Sequence, residues 1–459
     1  MGEGAKGQWT LSPLTPKDLY IMPYFQILTF GCKVNQYESA GMAEVLADLG
    51  FTPRPPQAAP DLVLVNTCTV TARADQQARQ AIRRLARQHP GAELWITGCY
   101  AQRSPQSLAS LAGVVKVFGN PAKARLAEMV ALQGDDPGPQ VEVEGFSPLE
   151  PFQVCLVRRF PGHTRAWLKV QDGCSHACSY CIVPKVRGPG RSLPFENVQS
   201  SLEALAASGF QEVVLTGIDL GQYGKDLGSG ENLARLLRGL SRSDWPFRLR
   251  LSSLEPQEVT AELVSALSAF PHLCPQFHLP MQSGSPAVLT AMGRPYLPGH
   301  LQDLVMDLHR LFPAAAVGLD VLVGFPGETA ADFEATRTLV KTLPVAYLHV
   351  FPYSPRPGTP ARSLPQLPGQ EVMLRAQVMR KLGQKKKTSF YRAQIGHVGE
   401  VLVEGPAPGR PGWLKGLSAN YLRVILPGPP AWQNRRLQVK FLDVRDELLV
   451  GEVITSAAK

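Results

Sequence analysis

The sequence predicts an α/β protein in three parts: an N-terminal doubly wound parallel sheet, a central partial (β/α)6 barrel and a small C-terminal β-barrel. Three observations carry that prediction. Apolar strands alternate with amphipathic stretches across 22–140. Six more such strands recur across 152–380. From 385 to 456 short apolar runs are separated by Gly and Pro, with no long helix evident.

In the first part, FQILTF (25–30) reads as a buried strand, followed by GCKVN and a helix from about Glu38 to Gly50. DLVLVNTC (61–68) is the next strand, and Ala78, Ile82 and Leu85 then recur at helical spacing. ELWITGC (93–99) repeats the pattern and VVKVFGN (114–120) supplies a fourth strand. This βαβα order implies parallel pairing. A linker rich in Gly, Pro and acidic residues covers 134–151. The central strands are WLKVQ (167–171), EVVLTG (212–217), RLRLSS (248–253), FHLPM (277–281), VGLDVLVG (317–324) and YLHVF (347–351). A (β/α) barrel of this kind builds its site from the loops at the C-terminal ends of its strands. The last part reads as a barrel of the OB-like size class, in which Trp413, Tyr421 and Trp432 serve either as stacking platforms or as core.

Composition narrows the function classes. Hydrophobic residues make up 44% of 459, enough for real cores. No run of eighteen apolar residues occurs, which speaks against a membrane span. Residues 1–21 lack the apolar core of a secretory signal and read as a disordered extension, so a cytoplasmic protein is expected. The net charge is +9, and 385–459 holds twelve Lys/Arg against six Asp/Glu. That bias fits a polyanion-binding module, the alternative being a merely basic surface.

Eight cysteines in a chain expected to stay in a reducing compartment point to metal or redox chemistry rather than disulfides. Cys32, Cys68 and Cys99 each fall at or just past the C-terminal end of a predicted strand. In an open parallel sheet those ends share one edge, where ligands bind. Three buried core cysteines are the alternative. Cys174, Cys178 and Cys181 are spaced C-x3-C-x2-C in DGCSHACSYCIVPKVRG, at the end of the first central strand. Three thiolates occupy three corners of a four-iron cluster and leave one iron open to a small molecule. A zinc site would need His176 as fourth ligand, in poor tetrahedral reach of its neighbours. Cys155 and Cys274 match no ligand position and are assigned to packing.

CSHACSYC resembles the cluster motif of radical S-adenosylmethionine (SAM) enzymes. With the upstream cysteine trio and the basic C-terminal barrel, the chain is similar over about 22–456 to the methylthiotransferases of that superfamily. Those enzymes join a cluster domain (here 22–140), a radical SAM partial barrel (152–380) and a TRAM domain (385–456). PKVRGPGRS, LTGIDLGQYGKD, LSSLEP, HLPMQSGS and VLVGFPGET resemble the family's recurring segments.

The resemblance implies two [4Fe-4S] clusters. One, on Cys174, Cys178 and Cys181, binds SAM through its open iron and, given one electron, cleaves it to a 5′-deoxyadenosyl radical. That radical removes hydrogen from an aromatic C–H too weakly acidic for a side-chain base. The other, on Cys32, Cys68 and Cys99, holds the sulfur to be inserted, and a second SAM supplies the methyl group. The resemblance also implies SAM contacts at Tyr180, against adenine, and at Gly217, near the methionine amine. Ser253 and Gln282 would bind ribose or carboxylate, and Asp320 is a further candidate. It further implies a tRNA anticodon stem-loop as substrate, a flavodoxin- or ferredoxin-type electron donor and a monomeric enzyme.

Three branches differ in substrate. GCKVNQYES and TGCYAQ are most similar to the branch acting on N6-threonylcarbamoyladenosine at tRNA position 37. The isopentenyladenosine branch more often has Gln-Met-Asn where this chain has Lys33-Val34-Asn35. The branch modifying a ribosomal-protein aspartate has an acidic last domain, whereas this one is basic, which favours RNA. An RNA-binding iron–sulfur redox sensor is the alternative from a different class.

Overall fold

A computed structural model describes residues 22–132, 138–147, 152, 157–228 and 230–454. The N-terminal extension, the two ends of the linker (134–137 and 148–151) and Cys155 therefore lie outside the described residues.

The N-terminal sheet is six-stranded and parallel, in the order Thr52–Pro53, Tyr24–Thr29, Leu62–Thr67, Glu93–Gly98, Val114–Phe118, Gln140–Glu142. Both its faces are buried. Val63, Val65 and Ile96 pack with Ile82 and Leu85 on one side, while Leu62, Leu64 and Trp95 pack with Met42 and Leu46 on the other. Alternate residues of each strand thus feed opposite cores, which is why these strands read as continuous apolar runs. The first helix begins at Lys33 rather than near Glu38, and ends at Asp48. Gly31 turns the chain with φ at 97°, Cys32 takes the extended N-cap conformation, and Val34 and Tyr37 are already buried. GCKVN is therefore a turn that runs directly into the helix.

Six parallel strands form the central domain. Ala166–Lys169, Glu212–Thr216 and Arg248–Leu251 pair in one sheet, and Gln276–Gln282, Ala316–Val323 and Tyr347–Pro352 in a second. An isolated bridge pairs Leu249 of the first sheet with Leu273, just before the first strand of the second. The result is the expected partial barrel. Leu279, Leu319 and Val321 meet Leu304, Leu308 and Leu339 of the surrounding helices. Alternation along the strands then turns Glu212, Arg250, His278 and Asp320 to the opposite, inner face. Tyr37 and Ala40 of the first helix share the core of Trp167, so the N-terminal domain docks against the first barrel strand.

The expected break between 380 and 385 falls inside one continuous helix, Gly369–Ala393. Ala376 and Met379 join the core of the partial barrel, and Tyr391 joins that of the C-terminal barrel. Contacts at helical spacing in both domains hold the segment helical, despite its polar KKKTS stretch. The C-terminal barrel proper starts at Val398 and is closed by five strands, Val398–Pro406, Trp413–Ser418, Arg423–Pro427, Leu448–Val453 and Arg436–Arg445. Trp413 and Trp432 are partly buried against its core, and Tyr421 faces Tyr347 of the central domain at 5.9 Å between ring centroids.

An acid–base clamp joins the two barrels. Arg248 Nε and Arg250 Nε each donate to the buried Glu212 carboxylate at 2.7 Å. Arg248 Nη2 also donates to Leu417 O at 2.9 Å, and Arg250 Nη1 to Ala419 O at 3.0 Å. Burial pushes the Glu212 carboxyl up, but Arg250 and Arg248 outweigh it and hold it far below its ordinary 4.5. This contribution to stability is complete above pH 4.5 and is lost as pH falls below it. Glu212→Gln leaves the buried Arg250 without a counter-charge and Arg248 with Glu400 alone. It should cost roughly 3–5 kcal/mol of stability, read as a lower Tm at neutral pH.

Candidate cluster and cofactor site

The N-terminal cysteines lie at three neighbouring strand ends. Strands Leu62–Thr67 and Glu93–Gly98 run straight into Cys68 and Cys99, while Cys32 follows Gly31 just beyond Tyr24–Thr29. Any side chain at Gly31 would collide with Cys68, since a Cβ there would sit 2.7 Å from Cys68 Cβ and 3.1 Å from its Sγ. Burial raises the Cys68 thiol to about 12, with the charge of Cys99 adding to it, while Cys32 stands exposed. Thiols crowded in this way become thiolates only when cations compensate them, which is the condition a metal cluster meets.

Compensation is built around Arg187, which is 1% exposed and ends the short helix Val183–Arg187 after the second cysteine motif. Its Nε donates to Cys99 Sγ at 3.2 Å. One Nη contacts Glu38 at 2.5 Å and Asp172 at 3.3 Å, and the other donates to Asn35 Oδ1. Lys123 and Lys169 also reach Glu38, at 2.5 and 3.0 Å. Burial pushes Glu38 up, but these cations outweigh it and hold its carboxyl well below the usual range. Three cations thus face two carboxylates, a surplus of positive charge beside three thiols. The donor set fits an anionic thiolate cluster.

The same side chain reaches the second cysteine loop. Asp172 precedes Cys174, and Arg187 follows Cys181. Cys99 packs with Ile182 and Val186, and Asn120 Nδ2 donates to Val186 O at 2.7 Å. Cys174, Cys178 and Cys181 are all half-buried. The Cys174 thiol donates to Asp219 Oδ2 at 3.2 Å, and the Val183 N–H points at Cys181 Sγ at 3.4 Å. His176 Nε2 lies 3.1 Å from Glu258 Oε1 and 3.3 Å from Asp219 Oδ2, so it is engaged by acids rather than turned toward the cysteines as a zinc ligand. Burial and the Glu258 charge raise the Asp219 carboxyl to about 7.

Buried acceptors beside this loop are left over. Asp219 Oδ1, Glu258 Oε2 and Gln257 Oε1 have no hydrogen-bond partner. Unsatisfied buried oxygens on acidic side chains fit a ligand that brings N–H or O–H donors and positive charge, as SAM does through its ammonium, sulfonium and ribose.

The residues singled out as SAM contacts have different settings. Tyr180 accepts from Arg294 Nη2 at 2.7 Å, and its ring meets Phe325 edge-on at 6.4 Å. Gly217 is held close to Gln171, whose Oε1 would be 2.8 Å from a Cβ there. Gln282 ends its strand with φ at 61°, where the register shifts against the neighbouring strand. Ser253 Oγ is bonded to His278 Nδ1 at 2.6 Å. Asp320 turns inward and lies 2.9 Å from His278 Nε2 and 3.2 Å from His349 Nδ1. Ser253 and Asp320 thus belong to one polar chain that sequence reasoning did not assemble. Cys274 is buried in packing, as expected. Sequence reasoning also gave no role to Arg187, Glu38 or Asp172. The only signal was their position within a few residues of a cysteine motif.

Comparison with known proteins follows the same division of the chain. The description "Uncharacterized protein family UPF0004" matches residues 24–119, and "Radical SAM superfamily" matches 168–340. A threonylcarbamoyladenosine tRNA methylthiotransferase MtaB of Rickettsia prowazekii is 35% identical over 83% of this chain and 87% of its own length. The chain belongs to the radical SAM methylthiotransferase family. A tRNA-2-methylthio-N(6)-dimethylallyladenosine synthase of Pelotomaculum thermopropionicum is 33% identical over 94% of this chain and 97% of its own. The solved radical SAM methyltransferase TsrM of Kitasatospora setae aligns at a TM-score of 0.55 and 19% identity. That alignment covers 74% of this chain and 77% of TsrM, and it speaks to the fold alone. This methylthiotransferase is accordingly a radical SAM enzyme that uses SAM and a [4Fe-4S] cluster. No helix among its described residues is long and apolar enough to cross a membrane.

Arg187→Met should strip Glu38, Asp172 and Cys99 of a shared donor and leave buried carboxylates under-compensated. The expected result is a loss of roughly 3–5 kcal/mol in thermal unfolding, with Arg187→Lys recovering only part because one ammonium cannot reproduce the fork. An unchanged melting curve for Arg187→Met would remove the hub from the account.

Proposed function

We propose that the protein is a tRNA methylthiotransferase that adds a methylthio group at C2 of N6-threonylcarbamoyladenosine at position 37. Two [4Fe-4S] clusters are held, one by Cys32, Cys68 and Cys99 and one by Cys174, Cys178 and Cys181. The observation that carries this reading is that a single buried guanidinium, Arg187, touches Cys99 and ends the segment holding the second trio. Bound there, the clusters and SAM supply the radical that activates C2 and the sulfur that replaces its hydrogen.

The chain's own residues prepare the site. Asp219, Glu258 and Gln257 offer acceptors to the ammonium and ribose of SAM. Arg294, paired with Glu255 and with the Tyr180 hydroxyl, fixes the wall beside Cys178. The C-terminal domain places Tyr421, Arg423 and Lys415 along a groove of about 670 Å³, opposite Arg165, Tyr347 and His349 of the central barrel. Cations and aromatic faces in one groove suit an RNA strand, through phosphate contacts and base stacking. An external donor of the flavodoxin or ferredoxin type would deliver the electron.

The threonylcarbamoyl branch is favoured over the isopentenyl branch by the likeness of GCKVNQYES and TGCYAQ to it and by relatives named for that activity at about 35% identity over most of the chain. Nucleoside mass spectrometry of tRNA from a deletion strain tests the choice. Loss of the methylthio group from threonylcarbamoyladenosine is expected, and loss from isopentenyladenosine instead would reject it.

Anaerobic reconstitution tests the chemistry. About eight irons per chain are expected, four for each trio. Alanine at Cys174, Cys178 and Cys181 should abolish formation of 5′-deoxyadenosine. Alanine at Cys32, Cys68 and Cys99 should spare it and stop sulfur insertion. A well-reconstituted wild type that makes no 5′-deoxyadenosine would instead fit an RNA-binding redox sensor.

A further inference from the structure

His278, Asp320 and His349 meet on the inner face of the second barrel sheet. They come from three neighbouring strands, Gln276–Gln282, Ala316–Val323 and Tyr347–Pro352. Asp320 pairs in register with His349, and His278 pairs with Gly318, two residues before Asp320, so period-two alternation puts the three side chains on one face. One donor atom from each lies within 4.8 Å of the other two. Asp320 Oδ1 is 2.9 Å from His278 Nε2 and 3.2 Å from His349 Nδ1. Despite that closeness, His278 Nε2 and Asp320 Oδ1 are buried with no hydrogen-bond partner. The oxygen therefore lies off the axis of an Nε2 proton, and a proton there would be stranded. The ring's proton belongs on Nδ1, where it is donated to Ser253 Oγ at 2.6 Å. Nε2 then turns a lone pair toward an anionic oxygen, a contact that repels unless a cation lies between them.

We propose that His278 Nε2, Asp320 Oδ1 and His349 Nδ1 bind one divalent transition-metal ion. Donors about 2.1 Å from a common ion and about 90° apart are about 3.0 Å from each other, and each lone pair then points about 45° away from its neighbour. The contacts of 2.9 and 3.2 Å, with Nε2 aimed off the oxygen, have that pattern. Two imidazoles and one carboxylate suit Fe²⁺ or Zn²⁺ and are a poor set for Mg²⁺ or Ca²⁺, which take oxygen. All three ligands stand on strands, and Ser253 fixes the orientation of His278 from behind, as supporting residues of metal-bound histidines do. The Tyr347 ring lies parallel to His278 at 6.1 Å between centroids, and its hydroxyl accepts from Gln276 Nε2 at 2.7 Å. His349 is half exposed and lines the groove of about 670 Å³ between the barrels, which gives an ion its way in. Three protein donors leave coordination positions for water or for an oxygen of the molecule held in the groove. Ser253 and Asp320, which resemblance assigns to SAM, serve this site instead. The inference does not depend on which adenosine is modified.

The test is equilibrium dialysis of the anaerobically reconstituted full-length enzyme against Co²⁺, with cobalt and iron counted in the same samples. Wild type should take up about one Co²⁺ per chain saturably, beyond its cluster iron and without displacing it. His349→Ala and Asp320→Asn should each weaken that binding by more than about tenfold at unchanged iron content, and Ser253→Ala by roughly tenfold, the effect of losing a support behind a ligand. Should Asp320→Asn fail to fold, His349→Ala decides, because His349 is half exposed. Alanine at His272, another half-exposed histidine, should leave the affinity unchanged. A wild type without saturable uptake, or one that exchanges cobalt for iron, overturns the inference. So does uptake that His349→Ala leaves intact, or that falls equally with His272→Ala, which marks adventitious binding at surface imidazoles.

Discussion

The ion network centred on Arg187 is the constraint on which the rest of the site depends. Its guanidinium is buried and committed in every direction, to Cys99, Asn35, Glu38 and Asp172. Each partner belongs to a segment that also carries cysteines: Asn35 and Glu38 follow Cys32, and Asp172 leads into Cys174. A charge of this kind is tolerated only when all its donors are met. The relative position of the two cysteine trios is thus set by hydrogen-bond geometry rather than by loose contact between domains. The planar fork matters here, because it reaches a sulfur, an amide oxygen and two carboxylates at fixed angles.

The two cysteine sets sit in electrically opposite surroundings. Around Cys32, Cys68 and Cys99 the fixed charges have a positive surplus, from Arg187, Lys123 and Lys169 against Glu38 and Asp172. Around Cys174, Cys178 and Cys181 the neighbours are acids, with Asp219, Glu255 and Glu258 answered by Arg294 and His176. A thiolate cluster alone is anionic and suits the first. A cluster that must share its site with a cationic sulfonium and ammonium suits the second. The same ligand type at similar number can therefore serve distinct chemistry through its surroundings.

The C-terminal barrel is tied into the central one through backbone carbonyls at Leu417, Ser418 and Ala419, which accept from Arg248 and Arg250. That clamp uses the inner face of the central barrel, so the docking of the small domain and the charge inside the barrel are coupled through Glu212. Helix Gly369–Ala393 adds a covalent and apolar link between the same two units. The groove between them is bounded by rigid elements on both sides.

The cysteine spacing and the strand ends were legible in the sequence because they depend on local order. Period-two and continuous apolar runs mark strands, and βα alternation alone carries Cys68 and Cys99 to one sheet edge. The start of the first helix is not legible in the sequence because Lys33 and Asn35 are polar, and Asn35 is buried by bonds to the distant strand residues Asn66 and Thr67 and to Arg187. The helix through 380–385 was missed for a similar reason, its polar stretch being held by two separate cores. Ser253 and Asp320 were singled out one by one, yet their connection through His278 needs side chains that meet across four strands. The sequence by itself determined the fold class and the placing of the two thiol trios along the chain, since these follow from residue type and spacing. Only the tertiary structure decided that Arg187 joins the trios and that unpaired acceptors surround one of them. Charge pairing is a property of distance in space, and no spacing along the chain encodes it.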